Sequence, residues 1–283
     1  MQTIVLATQK GGSGKSTIAI SLALAAQEAG HTVRLIETDQ QGTLSNWQRR
    51  RGADKPLVEA VHNAREIEVR LQSLARSGVT LTIIDTAGGI TAATTEAVRY
   101  CDFCLIPARP SIVDIEASAA TLELVRAWRK PFAFVLNQTP NRSQRTRGAA
   151  DAIGEAAARD LDDVLARPFV VMRNDHQDAL AAGLSVSEFA SSGKSAEEIR
   201  SLWQWVDTRL TGGVVAAVEE EAAATDYSEI EFPILLSRAK RQTTTETETP
   251  YPLSTWADSK LDLDLESDSD TNLPASLPWD SGL

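Results

Sequence analysis

Cysteine and histidine are scarce in this chain: Cys101, Cys104, His31, His62 and His176 are the only ones among 283 residues. Two cysteines cannot build a disulfide scaffold, and in a reducing compartment they are expected to remain thiols. The histidines share no ligand-like spacing, which argues against a metal site built from them. No apolar stretch approaches the roughly 20 residues that span a bilayer. The short apolar run TIVLA (3–7) has no basic leader and runs straight into glycines, unlike a secretory signal, so a cytoplasmic protein is expected. No internal repeat is visible, which sets repeat architectures aside.

Net positive charge is missing as well. The formal charge is −11, which at first sight argues against a nucleic-acid binder. Residues 212–283, however, carry 15 acidic and 4 basic side chains, leaving 24 of each in 1–211. The acidity belongs to the tail, and a neutral body can still present a basic face.

Short apolar runs rich in β-branched residues recur as TIVLAT (3–8), TVRLIET (32–38), LTIIDT (81–86), FCLIPA (103–108), FAFVLN (132–137) and FVVM (169–172). Segments with helical spacing separate them; Ile18, Leu22, Ala25 and Ala29 mark one helix face over 15–29. Near-continuous apolar strands alternating with helices predict a doubly wound α/β domain with a mostly parallel sheet covered on both sides, over residues 1–211. Residues 212–239 read as a linker with room for a short helix. From 240 to 283 the chain is acidic, low in complexity and interrupted by proline, a composition expected to be disordered.

The stretch QKGGSGKST (9–17) falls between a predicted strand and a predicted helix. In that context Gly11, Gly12, Ser13 and Gly14 let backbone N–H groups converge on phosphate oxygens, with the positive end of the helix behind them. Lys15 then reaches the β- and γ-phosphates, Ser16 is placed to ligate Mg²⁺, and Thr17 completes the loop. A second lysine, Lys10, stands at the loop's entrance, outside the cradle that Lys15 serves. The pattern K-G-G-x-G-K-[ST] resembles the deviant Walker A group, specifically the ParA/MinD family of partitioning and positioning ATPases. The resemblance implies a P-loop fold, ATP and Mg²⁺ as ligands, and a homodimer in the ATP state in which Lys10 crosses to the phosphates held by the partner.

Further segments extend the resemblance over residues 1–211. LIETDQQGTLSNW (35–47) is similar to the family's D-x-D-x-Q-G motif, with Asp39 as the acid that orients the attacking water. Glu37 stands in place of the first acid, one methylene longer than the usual aspartate. LTIIDTAGG (81–89) has the shape of a Walker B strand followed by a switch segment, and Asp85 would hold Mg²⁺ through water. Asp114 matches an interface position, and Asn137 in FVLNQTP would recognise the adenine edge. Arg173 precedes a short helix in the late region, as the family has it.

Cargo-positioning members of the family bind nonspecific DNA as ATP dimers through late arginines, which makes Arg173, Arg200 and Arg209 the expected contacts and the binding salt-dependent. The clusters 49–51 and Arg142, Arg145 and Arg147 read first as solvated faces. With no helix-turn-helix ahead of the loop, sequence-specific operator binding is not expected. The resemblance also implies slow turnover stimulated by an adaptor, ParB-like or cargo-borne, and nucleoid association of the ATP form. Trp203 and Trp205 are read as anchors of a last helix, and Trp256 and Trp279 as candidate docking residues in the tail. Three rival readings stay open. A MinD-like membrane switch would need a basic amphipathic C-terminal helix, where this sequence has an acidic run and LPASLPWDSGL. A Mrp-type iron–sulfur carrier would use a Cys-x-x-Cys, but Cys101 and Cys104 sit at the start of a predicted buried strand. A carboxylate ligase of the dethiobiotin-synthetase kind would need a small-substrate pocket that no motif here marks.

Overall fold

The computed structural model describes residues 1–52, 55–140, 144–157 and 161–212, with backbone only for 144, 145, 161 and 162. In chain order the elements are β1 (Gln2–Leu6), α1 (Lys15–Glu28), β2 (Val33–Glu37), α2 (Thr43–Arg51), β3 (Leu57–Ala60), α3 (Ala64–Arg76), β4 (Leu81–Asp85) and α4 (Ala92–Tyr100). They continue as β5 (Phe103–Ala108), α5 (Ile112–Glu116), α6 (Ala119–Ala127), β6 (Phe132–Leu136), α7 (Gln144–Ala157), α8 (Leu161–Val164), α9 (Asp175–Ala181), α10 (Val186–Phe189) and α11 (Lys194–Leu210). The expected linker from 213 onward and the tail, with Trp256 and Trp279, and Arg142 and the side chain of Arg145, lie outside the described residues.

The strands form a parallel sheet in the order β3-β2-β4-β1-β5-β6. Alternate residues of each strand feed opposite cores: Val5, Ile36, Ile84 and Ile106 face one side, and Ile4, Leu35, Ile83 and Leu105 the other. Each fully buried aliphatic side chain is worth about 1.5–3 kcal/mol, so a strand buried on both faces contributes twice per dipeptide what a one-sided strand does.

The structure departs from the sequence expectation at three places. The strand β3 carries no continuous apolar run, because it is an edge strand paired only with β2 and Leu57 and Ala60 are exposed. The segment FVVM is not a strand: it is joined beyond the end of β6 by one bridge, Thr139 to Val171, with Val170 N donating to Leu136 O and Thr139 N donating to Val170 O. Pro168, lacking an N–H, precedes a run too short to build a ladder. The helix α1 is buried around most of its circumference rather than on one face, because it lies between the sheet and α11, while Ala29 is exposed beyond its end. Trp203 on α11 is buried, and Trp205 meets Phe103 edge to face.

Candidate functional site

The register puts Leu6, Glu37 and Asp85 side by side at the carboxyl ends of β1, β2 and β4. Three loops leave the sheet there, and their backbones are tied together. Thr38 N and Thr38 Oγ1 both donate to Asp85 O, Thr86 Oγ1 donates to Leu6 O at 2.8 Å, and Gly89 N donates to Thr8 O. Gly88 packs against the backbone of Gln9 and Gly11, so the segment after β4 lies directly against the phosphate loop.

Residues 8–14 form that loop, and Gly14 caps α1 in the left-handed region at φ 90°. A Cβ there would fall on the Asn137 amide, so both backbone and space demand glycine. Lys15 and Ser16 open α1. The Ser16 hydroxyl donates to Asp85 Oδ2 at 2.6 Å, while Asp85 Oδ1 is buried without a partner. Burial pushes the Asp85 carboxyl up to about 7 against the opposing pull of Ser16 and Lys15. Burial also lowers Lys15, with the Asp85 and Asp39 carboxylates acting in the other direction. A hydroxyl and an orphaned carboxylate oxygen are hard donors, and they fit a Mg²⁺ ion. Asp39 is half-buried on the 38–42 loop, where its Oδ1 accepts from Gln41 N.

Lys10 is held on its own chain: its Nζ lies 3.4 Å from Asp114 Oδ2, and Arg109 Nε lies 3.1 Å from the other oxygen. Beside this cluster Ile112 and Val113 are 62% and 59% exposed. Asn137 sits under the phosphate loop, its Nδ2 donating to Ser13 O at 2.8 Å, and Gln138 Nε2 donates to Gly12 O. Gln138 adopts φ 54°, a left-handed conformation that a glutamine tolerates only where its surroundings fix it. Sequence reasoning missed Gln138 and Arg109; the Asn-Gln pair closing a strand was the one available signal for the former.

The three late arginines do not form one face. Arg173 makes a bidentate pair with Glu198, at 2.6 and 2.7 Å. Arg200 donates to Ser191 O, and Arg209 stacks over the Trp205 ring. Arg200 and Arg209 lie nine positions apart on α11, two and a half turns, so they leave it on opposite sides. The 49–51 cluster is likewise engaged within the chain: Arg50 donates to Leu180 O, and Arg51 pairs with Glu188 and stacks on Trp47. Cys101 and Cys104 are buried, and burial raises both thiols.

The family described as CobQ/CobB/MinD/ParA nucleotide binding domain matches residues 4–244. Over 206 residues, 69% of this chain and 91% of the relative, the chain is 30% identical to "Maintenance of carboxysome distribution protein A" of Halothiobacillus neapolitanus. It is 26% identical to the IncC protein of Escherichia coli over 263 residues, 74% of this chain and 70% of the relative. Among solved structures, an ATP complex of a substituted McdA from Cyanothece superposes with a TM-score of 0.59 at 18% identity, covering 75% of this chain and 96% of that one. The MinD protein of Pyrococcus horikoshii with Mg-ADP does so with a TM-score of 0.58 at 16% identity, covering 74% and 96%. With the family matched over most of this chain and the phosphate loop, Ser16–Asp85 pair and parallel sheet all in place, the chain belongs to the CobQ/CobB/MinD/ParA nucleotide-binding family and is an ATPase of the ParA/MinD type.

Proposed function

We propose that this protein is an ATP-dependent dimerising switch that positions a cargo, either DNA or another large cellular body, using nonspecific DNA as its track. The observation that carries the reading is the placement of Lys10. It stands at the mouth of the phosphate loop on a shared, nearly buried carboxylate, next to two exposed aliphatic residues. A surface with that chemistry suits a second copy bringing a triphosphate.

In this reading Gly11, Gly12, Ser13, Gly14, Lys15, Ser16 and Thr17 cradle the phosphates, and Asn137 recognises the adenine edge. Ser16 would hold Mg²⁺, with Asp85 behind it through water, and the cation would supply positive charge to offset what develops on the phosphates. Asp39 orients water for in-line attack, and Lys10 of each protomer neutralises the other's nucleotide. Hydrolysis to ADP and phosphate then releases the pair, at a rate set by an adaptor protein on the cargo. The similarity to a protein named for carboxysome distribution supports a macromolecular cargo. Of Arg173, Arg200 and Arg209, Arg200 is the best placed for DNA, since its bonded partner is a carbonyl rather than a carboxylate or a ring.

The test measures ATP turnover with and without plasmid DNA, and DNA retention with ATP at low and high salt. DNA retained only with ATP and lost as salt rises supports the reading. Turnover that demands a small carboxylate, with no retention, overturns it in favour of a ligase.

A further inference from the structure

Glu37 ends β2 with its side chain fully buried, in register with Asp85. Its carboxylate is committed to the start of α2. Oε1 accepts from Leu44 N at 2.6 Å, and Oε2 accepts from Ser45 N at 3.2 Å and from Ser45 Oγ at 2.5 Å. Those amides are among the first in α2, whose N-terminal cap is Gly42, a residue with no side chain to offer them. The anion that belongs at the positive end of this helix therefore comes from a strand five residues upstream of the cap.

Between the strand and the helix runs the 38–42 loop that carries Asp39. It is pinned at its start by the two Thr38 bonds to Asp85 O and at its end by Glu37 through α2. We propose that Glu37 is a positioning residue for ATP hydrolysis: by capping α2 it fixes the loop, and with it Asp39, without touching the nucleotide. The proposal rests on the reading of Asp39 as the residue that orients the attacking water. The methylene that distinguishes Glu37 from an aspartate gives its carboxylate the reach for Leu44 and Ser45. An aspartate would stand back by about 1.5 Å, one carbon–carbon bond, and lengthen all three bonds.

The test compares the full-length wild type with Glu37→Asp, Ser45→Ala and Asp39→Ala. It reads kcat and KM for ATP, affinity for a fluorescent ATP analogue, and amide exchange over residues 38–48. Glu37→Asp is expected to keep nucleotide affinity within about threefold while kcat falls about tenfold or more, since a displacement near 1 Å can cost about a hundredfold. Exchange at Leu44 and Ser45 should rise. Ser45→Ala, which removes one donor and spares the buried acid, should lower kcat a few-fold in the same direction. It carries the test if the Glu37 variant does not fold. Unchanged kcat in the variants, or kcat and affinity falling together, overturns the proposal. A wild type whose turnover survives Asp39→Ala overturns the reading of Asp39 instead, and the proposal with it.

Discussion

Lys10 and Asp114 form an ion pair at 3.4 Å in which the carboxylate is nearly buried and the lysine about one-third exposed. Arg109 occupies the other oxygen of Asp114 at 3.1 Å, so the acid keeps a counter-ion whether or not Lys10 stays. A pair this open is worth at most about 1 kcal/mol, little against the charge of a triphosphate. Lys10 is thus held in place but cheaply released.

The Lys10→Ala protein should therefore bind ATP within about threefold of wild type, because Lys15 and the loop amides remain. Its dimerisation with a non-hydrolysable analogue should be lost, as read by light scattering. Dimerisation with unaltered strength would show that Lys10 serves only its own chain.

Asp85 predicts how stability responds to pH. Its carboxyl is pushed up to about 7 in the fold from an ordinary value of 3.8. Without a divalent cation its contribution to stability is full below 3.8 and is lost as pH rises through about 7, since the folded state holds the proton that the unfolded chain releases. A cation at the site favours the ionised form. The gain in Tm from MgADP over ADP alone should be larger near pH 8 than near pH 6, and Asp85→Asn should remove the difference. An equal gain at both pH values would mean that the cation does not use this carboxylate.

Gly183 joins α9 to α10 at φ 72°, and a Cβ there would fall on the backbone of Arg50 and Arg51. Gly183→Ala combines a left-handed penalty of about 1–2 kcal/mol with overpacking of about 1–3 kcal/mol. Chemical denaturation should show a loss of about 2–5 kcal/mol. A loss under about 1 kcal/mol would show that α2 gives way easily at this end.

Burial pushes the Cys101 thiol up to about 12 and Cys104 well above its ordinary value. Near pH 8 the native protein should resist an alkylating reagent that titrates both thiols once guanidinium is added. Rapid labelling of the native chain would reopen a reactive role for the pair.

The phosphate loop was legible because its chemistry is contiguous: glycines, Lys15 and Ser16 must follow one another to surround one anion. Asp85 was legible because a buried strand ends on it. Pairings made by the fold were not. Arg51 meets Glu188 across 137 positions and Arg173 meets Glu198 across 25, so their charges read as surface cations until the partners are seen. The strand β3 escaped because an edge strand needs little apolar content. The position of Glu37 was visible but its task was not, since a helix cap supplied from a neighbouring strand leaves no local pattern.

The helix α2 is fastened at both ends. Beyond the Glu37 cap, Trp47 Nε1 donates to Leu184 O and Arg51 grips Glu188 with both nitrogens. It therefore works as a tie-rod, joining the 38–42 loop at one end to α9 and α10 at the other. On the proposed role of Asp39, an effector acting on those helices would need no channel of its own to alter the rate.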